Sequence, residues 1–515
     1  MNAKAKHLSF GSMFVGNAAA AQEAAAAEQE SDSPMRILIV GDFCGAGKRS
    51  ATAPRPMVVD RDNLDDVLAH FDPALRLEGV HPDGSAVEIE FAELDDFHPD
   101  RLYERLPLFD TLRETHERLE SPKTFAAAAA EVRGWAEAQA VKRSTEPPAG
   151  ESGKPASESP PAISGENLLD QLIEQADDSS QAAMSTRQSS VFDLLLDKVA
   201  GPYRIAPDDP DKQPLLDLVD ALTADRLRAI LHHPDFQALE SAWRSVDFLV
   251  RRVETDANLK LFLVDLPKAA LAAELESVAE LRSSSFYKML ADLPPGTPPW
   301  TLVVGNYQFA DTRTDVEMLG RIAQIAASAG TPFIAGADTR VFGCPSPAET
   351  PDPDDWQEPE GEAAEMWQQL RGLPAASSLG LIAPRFLLRH PYGPEASPTE
   401  RLEFVELPTP DHAGFLWGNP AFVIACQLAR AFSHSGRKMS SVECDIDDLP
   451  AYVYDDAGQP AIKPCAEGLL GDRAVERILD FGIMPLQSYA GRGRVVITSI
   501  NSLANPPAAL AGRWE

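Results

Sequence analysis

One tract sets the terms for every other reading of this chain. "STEPPAGESGKPASESPPAISG", Ser144–Gly165, has no aromatic residue and is dominated by Pro, Ser, Gly and Glu. Such a composition buries too little apolar surface to offset the entropy lost on ordering, so the tract is expected to be a disordered linker. Its charged, extended character gives reach. The fold must therefore be built from what lies on either side, and 515 residues leave room for two or three domains with ample core.

Residues 1–33 are small and polar and are expected to be a disordered N-terminal segment. A first ordered region, 34–121, opens with "ILIVGDFCGAGKRSA", a strand at Arg36–Val40 running into a glycine-rich turn. The turn resembles a phosphate loop but fails its spacing. Counting back from Gly47-Lys48, the first glycine position holds Asp42 and the hydroxyl position holds Arg49. An aspartate there repels phosphate, and an arginine leaves the metal without its protein ligand. A surface turn is the better reading. A second strand is expected at Pro56–Val59, then a helix capped by Asp60 or Asp62 with Leu64, Val67, Leu68 and Phe71 on one face. "AVEIEFAEL" alternates with period two, Val87, Ile89 and Phe91 inward and Glu88 and Glu90 outward. Beyond Pro99 a second helix is expected, carrying Leu102, Leu106, Phe109 and Leu112.

A helical extension, 122–143, with an alanine-rich helix at Phe125–Val141, precedes the linker at 144–165. A helical lead-in, 166–213, follows, with "ENLLDQLIEQA" and "SVFDLLLDKVA" as short amphipathic pieces. The second ordered region, 214–505, contains the strongest helix in the chain, "HHPDFQALESAWRSVDFLVRRV". Pro234 and Asp235 lie in its first turn, and Phe236, Leu239, Trp243, Val246 and Val250 repeat at steps of three and four. Strands at "LKLFLVDL", "WTLVVGNY" and "TPFIAGA" alternate with helices, one ending on Gly330. The pattern is mixed α/β, two ordered regions joined by a disordered linker, with 506–515 as a tail.

Lys+Arg 46 against Asp+Glu 79 gives −33. That field argues against nucleic acid and anionic membranes, and no apolar run approaches the length of a membrane span. The Ala18–Ala27 stretch is broken by Gln22 and Glu23 and carries no convincing signal pattern, so a cytoplasmic protein is expected. Cys44, Cys344, Cys426, Cys444 and Cys465 are widely spaced, which suits buried thiols and not a metal site. His232-His233 point about 100° apart on a helix and read as helix entry, packing against Trp243. No G-x-S-x-G elbow occurs, and no pair of carboxylates stands out. No catalytic residue, cofactor or metal is expected. "PRFLLRHPYG", Pro384–Gly393, differs in kind, with Arg385 and Arg389 bracketing apolar residues. In an acidic chain, pairing of these arginines with carboxylates, inside the fold or across a subunit contact, outweighs a phosphate grip.

"HHPDFQALESAWRSVDFLV", "PRFLLRHPYG", "FLWGNPAFVIACQLARAF" and "FGIMPLQSY" (Phe481–Tyr489) resemble, in order, the signature segments of the large subunit of the type VI secretion contractile sheath. "GDF", "VVDRDNLDDVLAHFDPALRLEGV" and "IEFAELDDFHPDRLYERLPLFDTLRE" resemble the small sheath subunit. The resemblance covers about 35–120 and 166–503 and implies a phage tail-sheath-like fold and a machine part, with both subunits fused in one chain. The implied partners are other sheath protomers, an inner tube protein, baseplate components and a disassembly ATPase. The family's large subunit continues past this point, whereas this sequence ends at Glu515, so a C-terminally shortened subunit is expected. A sheath- or baseplate-associated adaptor or capping protein that does not polymerise is the alternative, and a P-loop enzyme a remote one. Candidate interface or structural residues are Trp243, Arg385, Arg389, Tyr392 and Trp417, with Lys48 and Arg49 as a basic spot for a neighbouring protomer.

Overall fold

Seven consecutive buried residues, Met35–Gly41, form strand β1 of a computed structural model that describes residues 8–11, 33–45, 55–81, 83–145, 210–409, 411–436, 445–456 and 459–514. The remaining strands, in chain order, are β2 (Met57–Val59), β3 (Ala74–Leu77), β4 (Val87–Glu90), β5 (Leu259–Asp265), β6 (Leu302–Phe309), β7 (Phe333–Ala337) and β8 (Leu379–Ala383). Then come β9 (Phe386–Leu387), β10 (Trp417–Gly418), β11 (Asp445–Ile446), β12 (Tyr452–Asp456), β13 (Gln459–Lys463), β14 (Ile483–Ser488) and β15 (Val495–Ile497). Two compact units result, one formed by 1–110 with 222–515 and the other by 111–221.

In the first unit, a nine-stranded sheet runs in the order β11-β15-β14-β8-β7-β6-β1-β5-β2. Strand β1 lies in its interior, third from the β2 edge. It pairs in parallel with β5 along its whole length, Met35 opposite Leu259 and Gly41 opposite Asp265, and with β6 on its other edge. Strands buried on both faces favour near-continuous apolar runs over alternation, as in β7, β8, β1 apart from Arg36, and β14 up to Leu486. Leu38 and Val40 join the core built on the Arg313–Ala329 helix, and by the period of two Ile37 and Ile39 point to the opposite face. The Ala421–Ser435 helix packs against β1, β6 and β7 and against the Pro234–Arg252 helix.

Several elements follow the local signals. The Pro234–Arg252 helix buries Phe236, Leu239, Trp243, Val246 and Val250, and the His233 ring accepts from the Asp235 amide at its start. Gly330 ends its helix in the left-handed region at φ 63°. Strand β4 alternates buried and exposed as its sequence does. Two expectations are corrected. The helix begun at Pro99 stops at Arg105, because Pro107 cannot continue it; a short 3-10 turn at Pro107–Phe109 intervenes before the Asp110–Glu120 helix. The Leu64–Phe71 helix is entered at Asn63, while the Asp60 carboxylate accepts from the amides of Asp62 and Asn63 and shapes the preceding turn.

In the second unit the Phe125–Thr145 helix and its neighbours are tied by Arg118–Glu131 at 2.8 Å and Arg133–Asp211 at 2.6 Å. Of the expected linker, residues 146–165 lie outside the described residues, as do both amphipathic pieces of the lead-in.

Candidate functional site

Among the described residues of the turn that leaves β1, Asp42–Gly45, the backbone amides of Phe43, Cys44 and Gly45 are already engaged. The amides of Phe43 and Cys44 donate to Asp265 Oδ1 at 2.8 and 3.2 Å, and the Gly45 amide donates to Asp42 at 2.9 Å. Donors that a phosphate loop would direct at its ligand are thus taken by carboxylates of the chain itself. The Phe43 carbonyl accepts from the Trp243 indole at 3.0 Å, and the Trp243 ring meets Phe43 and Phe71 edge-on at 5.5 and 5.8 Å. Nearby, Phe236 packs on Phe97 and Phe91 at 5.6 and 6.0 Å. The long helix of the second sequence region is therefore pinned to the strand exit and aromatic residues of the first. Burial, with the Asp265 charge beside it, pushes the Cys44 thiol up to about 12, so it stays protonated. Lys48 and Arg49 lie outside the described residues.

A four-charge cluster lies between the Pro234–Arg252 helix and the segment after β9. Glu240 and Arg244 are one turn apart and paired at 2.6 Å. Arg389 reaches Glu240 at 2.8 Å and Glu406 at 2.7 Å, its guanidinium 4.3 Å from the Tyr392 ring centre. The Tyr392 amide donates to Glu406 at 2.7 Å, and the Tyr392 hydroxyl accepts from Arg244 at 3.0 Å. Two carboxylates and two guanidiniums balance, which is what burial of ions demands. Burial alone would raise the Glu406 carboxyl, but Arg389 and the other donors hold it at about 2. Burial likewise works to lower Arg389, and the two glutamates outweigh it, so its pKa lies well above normal. The His98 ring meets Tyr392 edge-on at 4.9 Å, and Asp100 accepts from the amides of Glu400 and Arg401 at 2.9 and 3.1 Å. The cluster thus ties the end of the first sequence region to the 389–406 segment.

Arg385 occupies a different environment. Its side chain is 41% exposed against 11% for Arg389. It grips Glu467 through Nε and a terminal nitrogen at 3.0 and 2.6 Å, and its backbone amide adds a third bond at 2.8 Å. His412 Nε2 stands 3.2 Å from the same carboxylate, and Lys463 Nζ lies 3.1 Å from His412 Nδ1, so the ring bridges the lysine and Glu467. Trp417 stacks on His412 at 4.9 Å and donates to its carbonyl at 3.0 Å. Arg385 and Trp417 border a crevice of about 440 Å³. Two of its polar side chains are already bonded: Asn419 donates to the Tyr307 carbonyl at 2.9 Å and Gln308 to the Ala337 carbonyl at 2.7 Å. These clusters hold elements together; they present no activated nucleophile or base.

Trp243 is brought against the first sequence region, while Arg389 and Tyr392 share one cluster and Arg385 and Trp417 another. Sequence reasoning missed Glu406, Glu467 and Asp265, which sit in unremarkable surroundings along the chain. Glu240 did carry a signal, since it falls between Phe236 and Trp243 in the apolar phase of the helix and is fully buried. Charge reversal at Arg389 would set a third carboxylate beside Glu240 and Glu406 with Arg244 as the remaining guanidinium, and a folding defect is the expected outcome.

Residues 213–504 match the VipB family model, EvpB tail sheath N-terminal domain. Residues 20–136 match the type VI secretion system VipA family model. The type VI secretion system sheath protein TssC1 of Pseudomonas aeruginosa is 32% identical over 303 residues, 56% of this chain. The match spans 60% of that protein's length.

Proposed function

Because the chain belongs to the VipB tail-sheath family and also carries a VipA-type segment, we propose that it is a structural subunit of a type VI secretion sheath with both sheath components in one polypeptide. The observation that carries this reading is the place of β1. A strand from the VipA-matching segment is inserted in the interior of a sheet between β5 and β6, which come from the VipB-matching segment. Neither segment completes that sheet alone. Covalent linkage makes their pairing intramolecular, at an effective concentration on the order of mM, and fixes the one-to-one ratio a lattice needs.

In this reading the protein works in the cytoplasm and assembles with further protomers around an inner tube above a baseplate. Its motion is a switch between two packings of the lattice and involves no chemical step. A separate ATPase disassembles the contracted form. Arg385, with its half-open guanidinium, is the candidate for a contact between protomers. Arg389 serves inside each one.

Negative-stain electron microscopy of the purified chain tests the assignment. Long tubules are expected. Discrete particles at every concentration would instead favour an adaptor or cap that docks on a sheath without extending it.

A further inference from the structure

Four residues near the start of the chain, Leu8-Ser9-Phe10-Gly11, lie on the Arg313–Ala329 helix, more than three hundred positions away. The placement is specific. Gln324 Nε2 donates to the Phe10 carbonyl at 2.7 Å, and the Ser9 amide donates to Glu317 at 3.4 Å, so two side chains of the helix read the peptide backbone. Leu8 and Phe10 pack on the core cluster that contains Val316, Leu319 and Ala323. The Phe10 ring covers Gly320; the three atoms nearest to where a Cβ would stand there all belong to that ring. Gly11 adopts φ 77°, open to glycine without strain, and closes on the Leu281 side chain. A glycine inside a helix weakens it, and here it supplies the space that the ring occupies.

We propose that this face of the Arg313–Ala329 helix is a peptide-binding site for a short Leu-x-Phe-Gly motif, and that the chain's own Leu8–Gly11 is its ligand. Each motif position has a counterpart: an apolar contact for Leu8, a bonded main chain at Ser9 and Phe10, a Cβ-free floor for the ring, and a left-handed residue against Leu281. Being part of the same chain, the segment is present at the site at a local concentration on the order of mM.

The test uses a fluorescein-labelled peptide of residues 4–15 and the full-length chain, read by fluorescence anisotropy. Phe10→Ala empties the site and should bind the peptide saturably below about 1 mM, and the unaltered chain, already occupied, at least about tenfold more weakly. Adding Gly320→Ala to that variant places a Cβ where the ring sits and should abolish binding. Alanine favours the helix, so this variant stays folded, as circular dichroism would report. A peptide with Phe10→Ala should not bind. Failure of the Phe10→Ala chain to saturate, binding undiminished by Gly320→Ala, or equal binding of the altered peptide would each overturn the proposal.

Discussion

Replacing Arg389 with methionine should destabilise the protein far more than the same change at Arg385, four residues earlier in the same motif. The guanidinium of Arg389 makes four bonds to two carboxylates, at 2.8 and 3.2 Å to Glu240 and 2.7 and 3.0 Å to Glu406. Glu240 and Glu406 are 0% and 1% exposed. Without Arg389, Glu240 keeps Arg244 while Glu406 keeps the Tyr392 amide and the His232 ring at 3.7 Å but no guanidinium, so one negative charge is left buried and unbalanced, a defect worth about 3–5 kcal/mol. Methionine fills much of the space of the arginine stem, which keeps the packing contribution small. At Arg385 the partner Glu467 retains His412 and the Arg385 backbone amide, and water reaches the guanidinium. That loss is about 1 kcal/mol. Urea titrations followed by circular dichroism measure both, and hydrogen exchange at the Tyr392 amide, a donor to Glu406, gives a local reading. Adding Glu406→Gln to Arg389→Met removes the unbalanced charge and should recover part of the loss. Equal shifts for the two arginine variants, or no recovery, would refute the reasoning.

Acid should act through the same groups. Glu406 and Glu467 titrate at about 2 in the fold, against an ordinary 4.5. Their stabilisation is complete above about pH 4.5 and is lost as pH falls from there towards 2, so Glu406→Gln and Glu467→Gln should flatten the fall of the urea midpoint across that window. Trp243→Phe keeps an aromatic ring but leaves the Phe43 carbonyl without its donor, at about 1–3 kcal/mol, whereas Trp243→Ala also opens a cavity and should cost about 3–5 kcal/mol; denaturant midpoints separate the two. Cys44, Cys344, Cys426 and Cys465 are buried thiols whose pKa values are all raised, mainly by burial. Mass spectrometry after iodoacetamide treatment should find these four unmodified in folded protein and modified in urea.

Much of the local structure is legible in the sequence because its causes are local. The step of three and four in Phe236, Leu239, Trp243, Val246 and Val250 can be satisfied only by a helix with one buried side, and that helix forms. Pro107 was equally visible, yet the apolar spacing of Leu102, Leu106 and Phe109 suggested continuity where proline removes a helix donor; the local rule prevailed over the pattern. Arg385 and Arg389 resisted such reasoning. Both stand in one short apolar run, and nothing adjacent distinguishes them. Their partners, Glu467 for one and Glu240 with Glu406 for the other, lie at separations that no periodicity connects.

By itself, then, the sequence determined the longer amphipathic helices, several core strands, their buried faces and, through its motif segments, the family. The tertiary structure decided that β1 lies between β5 and β6, since parallel pairing joins backbone to backbone and leaves no mark of the partner in the side-chain pattern. It also decided which charged residues enter the core, because an ion is tolerated there only where opposite charge converges from distant segments, and that convergence exists only once the chain has folded.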